Sequence, residues 1–119
     1  MTEESCSRRD IENLQVILKY CEDISYLVQL HGSDISDFFE NISLQYGCAF
    51  SLMQIGEHIK RLSPELTKEY PEVEWKGSAN MRDFIAHNYM DVDVERVRYT
   101  VLEKIPDLES KCRSILSAR

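Results

Sequence analysis

The sequence predicts an all-α fold, an up-and-down bundle of four main helices with a short connector helix, and three observations carry that expectation. Four glycines and three prolines in 119 residues are too few for the many hairpins of a β-sandwich. Apolar residues recur at spacings of three and four over long stretches instead of alternating. Cap-forming residues stand where those stretches begin. A hydrophobic fraction of 43% suffices for a core, which argues against a disordered chain. At this length there is material for one core and not two, so residues 1–119 are expected to form a single domain.

The elements follow in order. Ser7 and Asp10 have the spacing of a capping arrangement, so a first helix should begin near Arg8. Its stripe is Ile11, Leu14, Leu18, Cys21, Ile24 or Ser25, and Val28, and His31-Gly32 should stop it. Ser33 or Asp34 can cap the next segment, where Ile35, Phe38, Phe39, Ile42, Tyr46, Ala49, Met53 and Ile59 continue the period to Leu62 and predict the longest helix. Gly47 and Gly56 lie inside it, each costing about 1 kcal/mol relative to Ala. At Gly56-Glu57 two readings stand: a close helix approach that brings Glu57 toward an arginine, or tight packing with Glu57 in solvent.

Ser63-Pro64-Glu65 reads as cap, first helical residue and first-turn acid of a short helix ending at Tyr70-Pro71. Trp75 should begin a further helix through Met81–His87, fraying near Asn88-Tyr89. Asp93 can cap the last long helix, with Val94, Val97, Val101, Leu102, Ile105, Leu108, Cys112, Ile115 and Leu116 as its stripe. Pro106 implies a kink or restart within it.

Charge and cysteine usage narrow the classes. The net charge of −7 opposes bulk attraction to nucleic acid, so any RNA contact must be local. The excess is uneven: residues 1–81 hold seven basic and fourteen acidic residues, and 82–119 hold seven of each. The acidic start lacks the apolar run of a secretory signal, and no stretch approaches the roughly 20 apolar residues of a membrane span, so a cytoplasmic protein with no membrane partner is expected. Cys6, Cys21, Cys48 and Cys112 lack metal-ligand spacing and read as thiols, with Cys21 and Cys112 at buried helical positions. Neither a metal nor a cofactor is expected. His31 and His58 read as structural, the Trp, Tyr and Met residues as packing, and Glu65, Glu69, Glu72 and Glu74 as a solvated face that could meet a basic partner.

Groups suited to catalysis gather in one span: Arg82, Asp83, His87, Asn88 and Tyr89. On a helix Asp83 and His87 stand one turn apart, so the carboxylate can accept from the imidazole and fix its tautomer. Arg82 and His87 differ by roughly 140° of rotation. Either the helix ends near His87, or a second protomer completes the site.

The order Arg82-Asp83-x-x-x-His87-x-Tyr89 resembles the signature of the HEPN superfamily, and Tyr89 points to its HepT-like branch. The resemblance extends over Ile55-Gly56-Glu57, Tyr70-Pro71, Trp75, Asp93 and Ile105-Pro106-Asp107-Leu108, covering most of residues 40–116. It implies a metal-independent endoribonuclease, the toxin of a type VII-like toxin–antitoxin module. It also implies a homodimer with motifs facing a shared cleft, and a partner minimal nucleotidyltransferase that adenylylates Tyr89. Asp83 stands where Asn is frequent and Asn88 where Asp is frequent, changes that bear on the local hydrogen-bond network.

The residue types suit that chemistry. RNA supplies its own 2′-hydroxyl nucleophile, so cleavage needs a base, an acid and a cation for the phosphorane. His87, with an ordinary pKa of about 6.5, can act as base or acid, and Arg82 offers planar donors to phosphate oxygens. Asp83 would orient His87, while Glu57 and Asn88 would support the site. The alternative is a catalytically silent helical module that binds a nucleotidyltransferase; intact Arg82 and His87 favour the enzyme.

Overall fold

The computed structural model describes residues 7–87 and 93–118, and over 82–87 the helical backbone alone. Local capping chemistry sets the first helix where the sequence places it. In α1 (Arg8–His31) the Ser7 hydroxyl accepts from the Asp10 amide at 3.1 Å, and the Asp10 carboxylate accepts from the Ser7 amide at 3.3 Å. Gly32 ends α1 at φ 106°, a left-handed conformation that favours glycine, and a Cβ there would collide with the Asp37 carboxylate.

The second predicted helix is corrected by the structure. It is two helices, α2 (Ile35–Glu40) and α3 (Ile42–Lys60), separated at Asn41, whose backbone is extended. The Asn41 side chain explains the break. Its Oδ1 accepts from the Leu44 amide at 2.9 Å as the cap of α3, while its Nδ2 donates to His31 Nδ1 at 3.0 Å. The break also resets the inward stripe, which is Leu44, Cys48, Ala49, Leu52, Ile55 and Ile59. Phe39, Ile42 and Tyr46, expected inside, are 57%, 62% and 60% exposed.

Beyond α3 the sequence reading holds closely. Ser63 caps α4 (Pro64–Glu69) by accepting from the Leu66 amide, and α5 spans Trp75–His87. The indole N–H of Trp75 donates to the Tyr70 carbonyl at 2.9 Å, fixing the turn into α5. Asp93 caps α6 (Val94–Tyr99), which passes through a π-helical turn at Thr100–Lys104 into α7 (Ile105–Ser117). That turn is the restart Pro106 demanded, since the proline lacks an N–H and crowds the carbonyl four residues before it.

The long helices on either side of α1 run antiparallel to it. Ser63, just past α3, binds Asp10 at the start of α1, and Gly47 of α3 faces Leu27 of α1, so these helices run in opposite directions. A Cβ on Gly47 would sit 2.6 Å from a Leu27 methyl, a close approach that offsets the glycine's helical cost. Helix α3 packs on α1 and α5, and α7 packs against α1. The core runs through Leu14, Ile17, Phe38, Leu52, Leu66, Val97 and Leu108. No strand occurs among the described residues, and no helix among them is long and apolar enough to cross a membrane.

Candidate active site

The helix α5 carries the predicted catalytic span, and its register can be read against side chains whose exposure is known. Positions 83 and 87 fall on the side of α5 that presents the exposed Lys76 and Asn80, seven residues before each of them. Position 82 falls seven residues after the buried Trp75 and three after the half-buried Ala79. Asp83 and His87 therefore share one side of the helix, and Arg82 belongs to another, as the sequence geometry required. The side chains of Arg82, Asp83 and His87, and all of Asn88 and Tyr89, lie outside the described residues.

The surroundings of α5 are set by its neighbours. Gly56 is buried in α3, the helix that packs against both α1 and α5. Glu57, next along, is half-buried and pairs with Arg61 at 3.8 Å. The reach of Glu57 toward Arg82 falls on a side chain outside the described residues. On the far side of α5 a cavity of about 210 Å³ opens against α6 and the π-helical turn, lined by Glu74, Ser78, Met81, Arg96, Thr100 and Lys104. Lys104 meets Glu74 there at 3.4 Å, an exposed pair of small energetic weight. Sequence reading missed this cavity, because Arg96 and Lys104 come beside α5 only through the antiparallel return of the chain.

Other sequence expectations resolve plainly. Trp75 and Met81 are buried, but Tyr26, Tyr46 and Tyr99 stand largely in solvent, correcting their reading as packing residues. Their spacing is helical, but they fall on outward faces. His31 bonds Asn41 at the end of α1. His58 donates from Nδ1 to the Gln54 carbonyl at 2.8 Å and accepts from Arg61 at 3.3 Å. Glu65, Glu69, Glu72 and Glu74 are all exposed. Cys21, Cys48 and Cys112 are buried free thiols; burial pushes Cys48 and Cys112 up to about 12, and Cys21 higher still. Such thiols stay protonated and inert at neutral pH. Cys6 lies outside the described residues. Among the described residues no three His, Cys, Asp or Glu side chains converge as a metal site would need.

Comparison with known proteins falls on this same framework. The family model "Ribonuclease HepT-like" matches residues 12–115, from early α1 to late α7. A protein named "Putative RNase TTE0752" from Caldanaerobacter subterraneus subsp. tengcongensis is 34% identical over 103 residues, covering 87% of this chain and 90% of its own. "Putative RNase MJ0125" from Methanocaldococcus jannaschii is 31% identical over 110 residues, 92% of this chain and 93% of its own. "Probable ribonuclease HepT" from Thermococcus cleftensis is 33% identical over 97 residues, 77% of this chain and 88% of its own. No solved structure matches the chain significantly.

Proposed function

The chain belongs to the HepT-like ribonuclease family, and from that premise we propose that it is a metal-independent endoribonuclease toxin of a two-gene toxin–antitoxin module. The observation that carries this reading is the ordered set Arg82, Asp83 and His87 on α5, inside the span the family model matches. Asn88 and Tyr89 follow immediately in the sequence. The reading takes RNA, tRNA or mRNA, as substrate and a minimal nucleotidyltransferase as antitoxin.

The chemistry is a transesterification within the strand. One His87 imidazole takes the proton of a ribose 2′-hydroxyl, whose oxygen attacks the adjacent phosphorus. A second His87, from the other copy of a homodimer, protonates the departing 5′-oxygen. Arg82 donates to the non-bridging oxygens as charge builds on the phosphorane. Asp83, one turn before His87 on the same side of α5, accepts from the imidazole N–H and holds its tautomer. Glu57 and Asn88 are supporting groups. The products are a 2′,3′-cyclic phosphate and a 5′-hydroxyl.

Neutralisation acts on Tyr89. Transfer of an adenylyl group from ATP to the phenol, with release of pyrophosphate, leaves a phosphodiester anion two residues from His87. That anion competes for Arg82 and repels the substrate phosphate. A Tyr89→Phe variant should then escape inhibition by the nucleotidyltransferase and ATP; full inhibition of it would end this part of the reading.

The deciding experiment is incubation of purified protein with total RNA in chelator, with the cut ends mapped. Wild type should leave cyclic phosphates, and Arg82→Ala and His87→Ala should each lose roughly 10²-fold or more in rate. Primary products with 3′-hydroxyl ends would refute the mechanism. A folded wild-type dimer that cleaves no RNA and arrests no growth would point to the silent binding module.

A further inference from the structure

Around the start of α5 the surface of this acidic chain is basic. Two hollows adjoin there: the cavity of about 210 Å³ between α5, α6 and the π-helical turn, and a more open groove of about 670 Å³ reaching to α4. Both are lined by Glu74, Gly77 and Lys104, so they form one continuous trough. Lys68, Lys76, Arg96 and Lys104 line it, all exposed, against the carboxylate of Glu74. That reverses the sign of a chain whose net charge is −7. The nearby acids are partly answered: Glu74 meets Lys104 at 3.4 Å, and Asp107, in the hollow beyond Lys104, pairs with Lys111 at 2.9 Å.

Two further features describe what fits there. Gly77 stands in the first turn of α5, the positive end of that helix. A glycine inside a helix is destabilising relative to alanine. At Gly47 the contact with Leu27 accounts for it, but a Cβ on Gly77 would meet nothing within 4 Å. Packing within the described residues therefore gives no reason for Gly77, whereas close approach of a ligand backbone to the trough floor does. The second feature is Tyr99, which lines the smaller cavity and is 57% exposed, an aromatic face open to stacking. At about 210 Å³ that cavity is below the roughly 300–1,000 Å³ of a whole small-molecule site, and it suits a single ring system. A nucleobase can enter it only unpaired, as a single strand allows and an A-form duplex does not.

We propose that the trough holds an unpaired stretch of RNA beside the nucleotide being cut, with phosphates on Lys76, Arg96 and Lys104 and one base in the smaller cavity against Tyr99. This deepens the nuclease reading above and rests on it for the cut itself. The helix directions support the path. Arg98 of α6 donates to the Ser33 carbonyl at 2.7 Å and Asn41 bonds His31, so the starts of α6 and α3 stand together at the end of α1. Lys104, further along, meets Glu74 at the start of α5, so α5 runs antiparallel to α6 and its later residues approach that same end. Lys104 and then Arg96 thus succeed one another along α5 toward position 82. That position is one turn, about 6 Å, beyond Ser78 in the cavity wall. A strand whose scissile phosphate meets Arg82 has its adjoining nucleotides over the trough, which supplies the local RNA contact that the net charge requires.

The test measures strand binding apart from cleavage. The probe is a fluorescein-labelled uridine dodecamer with 2′-O-methyl riboses, which has no free 2′-hydroxyl to attack, read by fluorescence anisotropy. Wild type should bind it with log Kd rising against log salt at a slope of about 2, as three phosphate contacts require. The same strand annealed to its complement should bind at least about tenfold more weakly. Gly77→Glu places a carboxylate in the trough where a Cβ has room, so it should melt no lower than wild type and bind the strand at least about tenfold more weakly. Tyr99→Ala should lose about tenfold through stacking. Gln15→Glu adds the same charge on the exposed face of α1 and should bind within about twofold of wild type. On cleavable RNA, wild type should gain in kcat/KM from a dinucleotide to a dodecamer, and Gly77→Glu should lose most of that gain. No binding by wild type, equal binding of strand and duplex, or wild-type affinity in Gly77→Glu overturns the trough. Binding that Gly77→Glu and Tyr99→Ala both weaken, in a protein that cleaves no RNA, keeps the trough and ends the nuclease reading. Cleavage of the dodecamer by Gly77→Glu at the wild-type rate keeps the nuclease reading and ends the trough.

Discussion

At one end of the bundle Asp10 ties two helix caps together, whereas at the other Leu30, Phe39 and Ile42 stand in solvent around the start of α3. The first end is closed by polar chemistry. Asp10, 2% exposed, accepts from the Ser7 amide, from the Ser63 amide at 2.9 Å and from the Ser63 hydroxyl at 2.6 Å. Ser63 in turn accepts from the Leu66 amide at the start of α4. A buried carboxylate with every neighbour satisfied holds the chain in one arrangement. The second end presents apolar side chains that no neighbour among the described residues covers. The difference separates an end closed by its own polar groups from one that presents exposed apolar side chains.

The largest expected effect lies at the closed end. Asp10→Ala would strand the Ser63 hydroxyl and two amides, and should lower stability by about 3–5 kcal/mol. A urea titration reads this directly, and a loss below about 1 kcal/mol would show that the clasp does not seal that end.

Next in size is the alkaline response of the core between the two ends. A Cys thiol ionises near 9.0 when unfolded, but Cys48 and Cys112 ionise only at about 12 when folded, because burial penalises the thiolate. From about pH 9 upward the unfolded chain has therefore shed protons the folded chain keeps, so stability falls as pH rises; at pH 7 both states are protonated and the thiols contribute nothing. The fall should reach about 2 kcal/mol per thiol between pH 9 and 10.5. Cys48→Ala should show a shallower slope over that window, whatever its baseline stability.

Smaller still is Gly47→Ala, where α1 and α3 touch. A gain of about 1 kcal/mol in helix propensity is set against displacement of the Leu27 methyl. The net change should stay within about 1 kcal/mol, and a larger loss would mean that Leu27 cannot turn aside. Smallest is Tyr26→Ser. With 63% of the residue exposed, unfolding should shift by no more than about 0.5 kcal/mol, and a larger shift would show that this tyrosine is held by more than the chain alone.

Much of the fold was legible because helix ends are decided locally. Ser7 with Asp10, Ser63 with Pro64, Gly32 and Asp93 each act on backbone groups within four residues, so α1, α4 and α6 begin or end where the sequence said. Asn41 was legible in principle, being a good cap residue between two apolar runs. It was hidden because its other bond, to His31, joins residues ten apart. Joining α2 to α3 in one period then placed Phe39, Ile42 and Tyr46 inside. The candidate site was legible as residue order on α5, while the cavity beside it was not.

The sequence by itself determined that the chain is helical, where most helices start, that residues 41–56 carry no charge, and that Arg82, Asp83 and His87 share one helix in a fixed register. Each depends on residues within a few turns of one another, whose geometry the backbone dictates. Only the tertiary structure decided that Asp10 serves Ser63, 53 residues away, and that α3 turns Tyr46 outward. It also decided that the start of α3 lies at the end toward which α5 runs. Those depend on which helices pack together, and a periodic apolar stripe states that a face will be buried without stating against what.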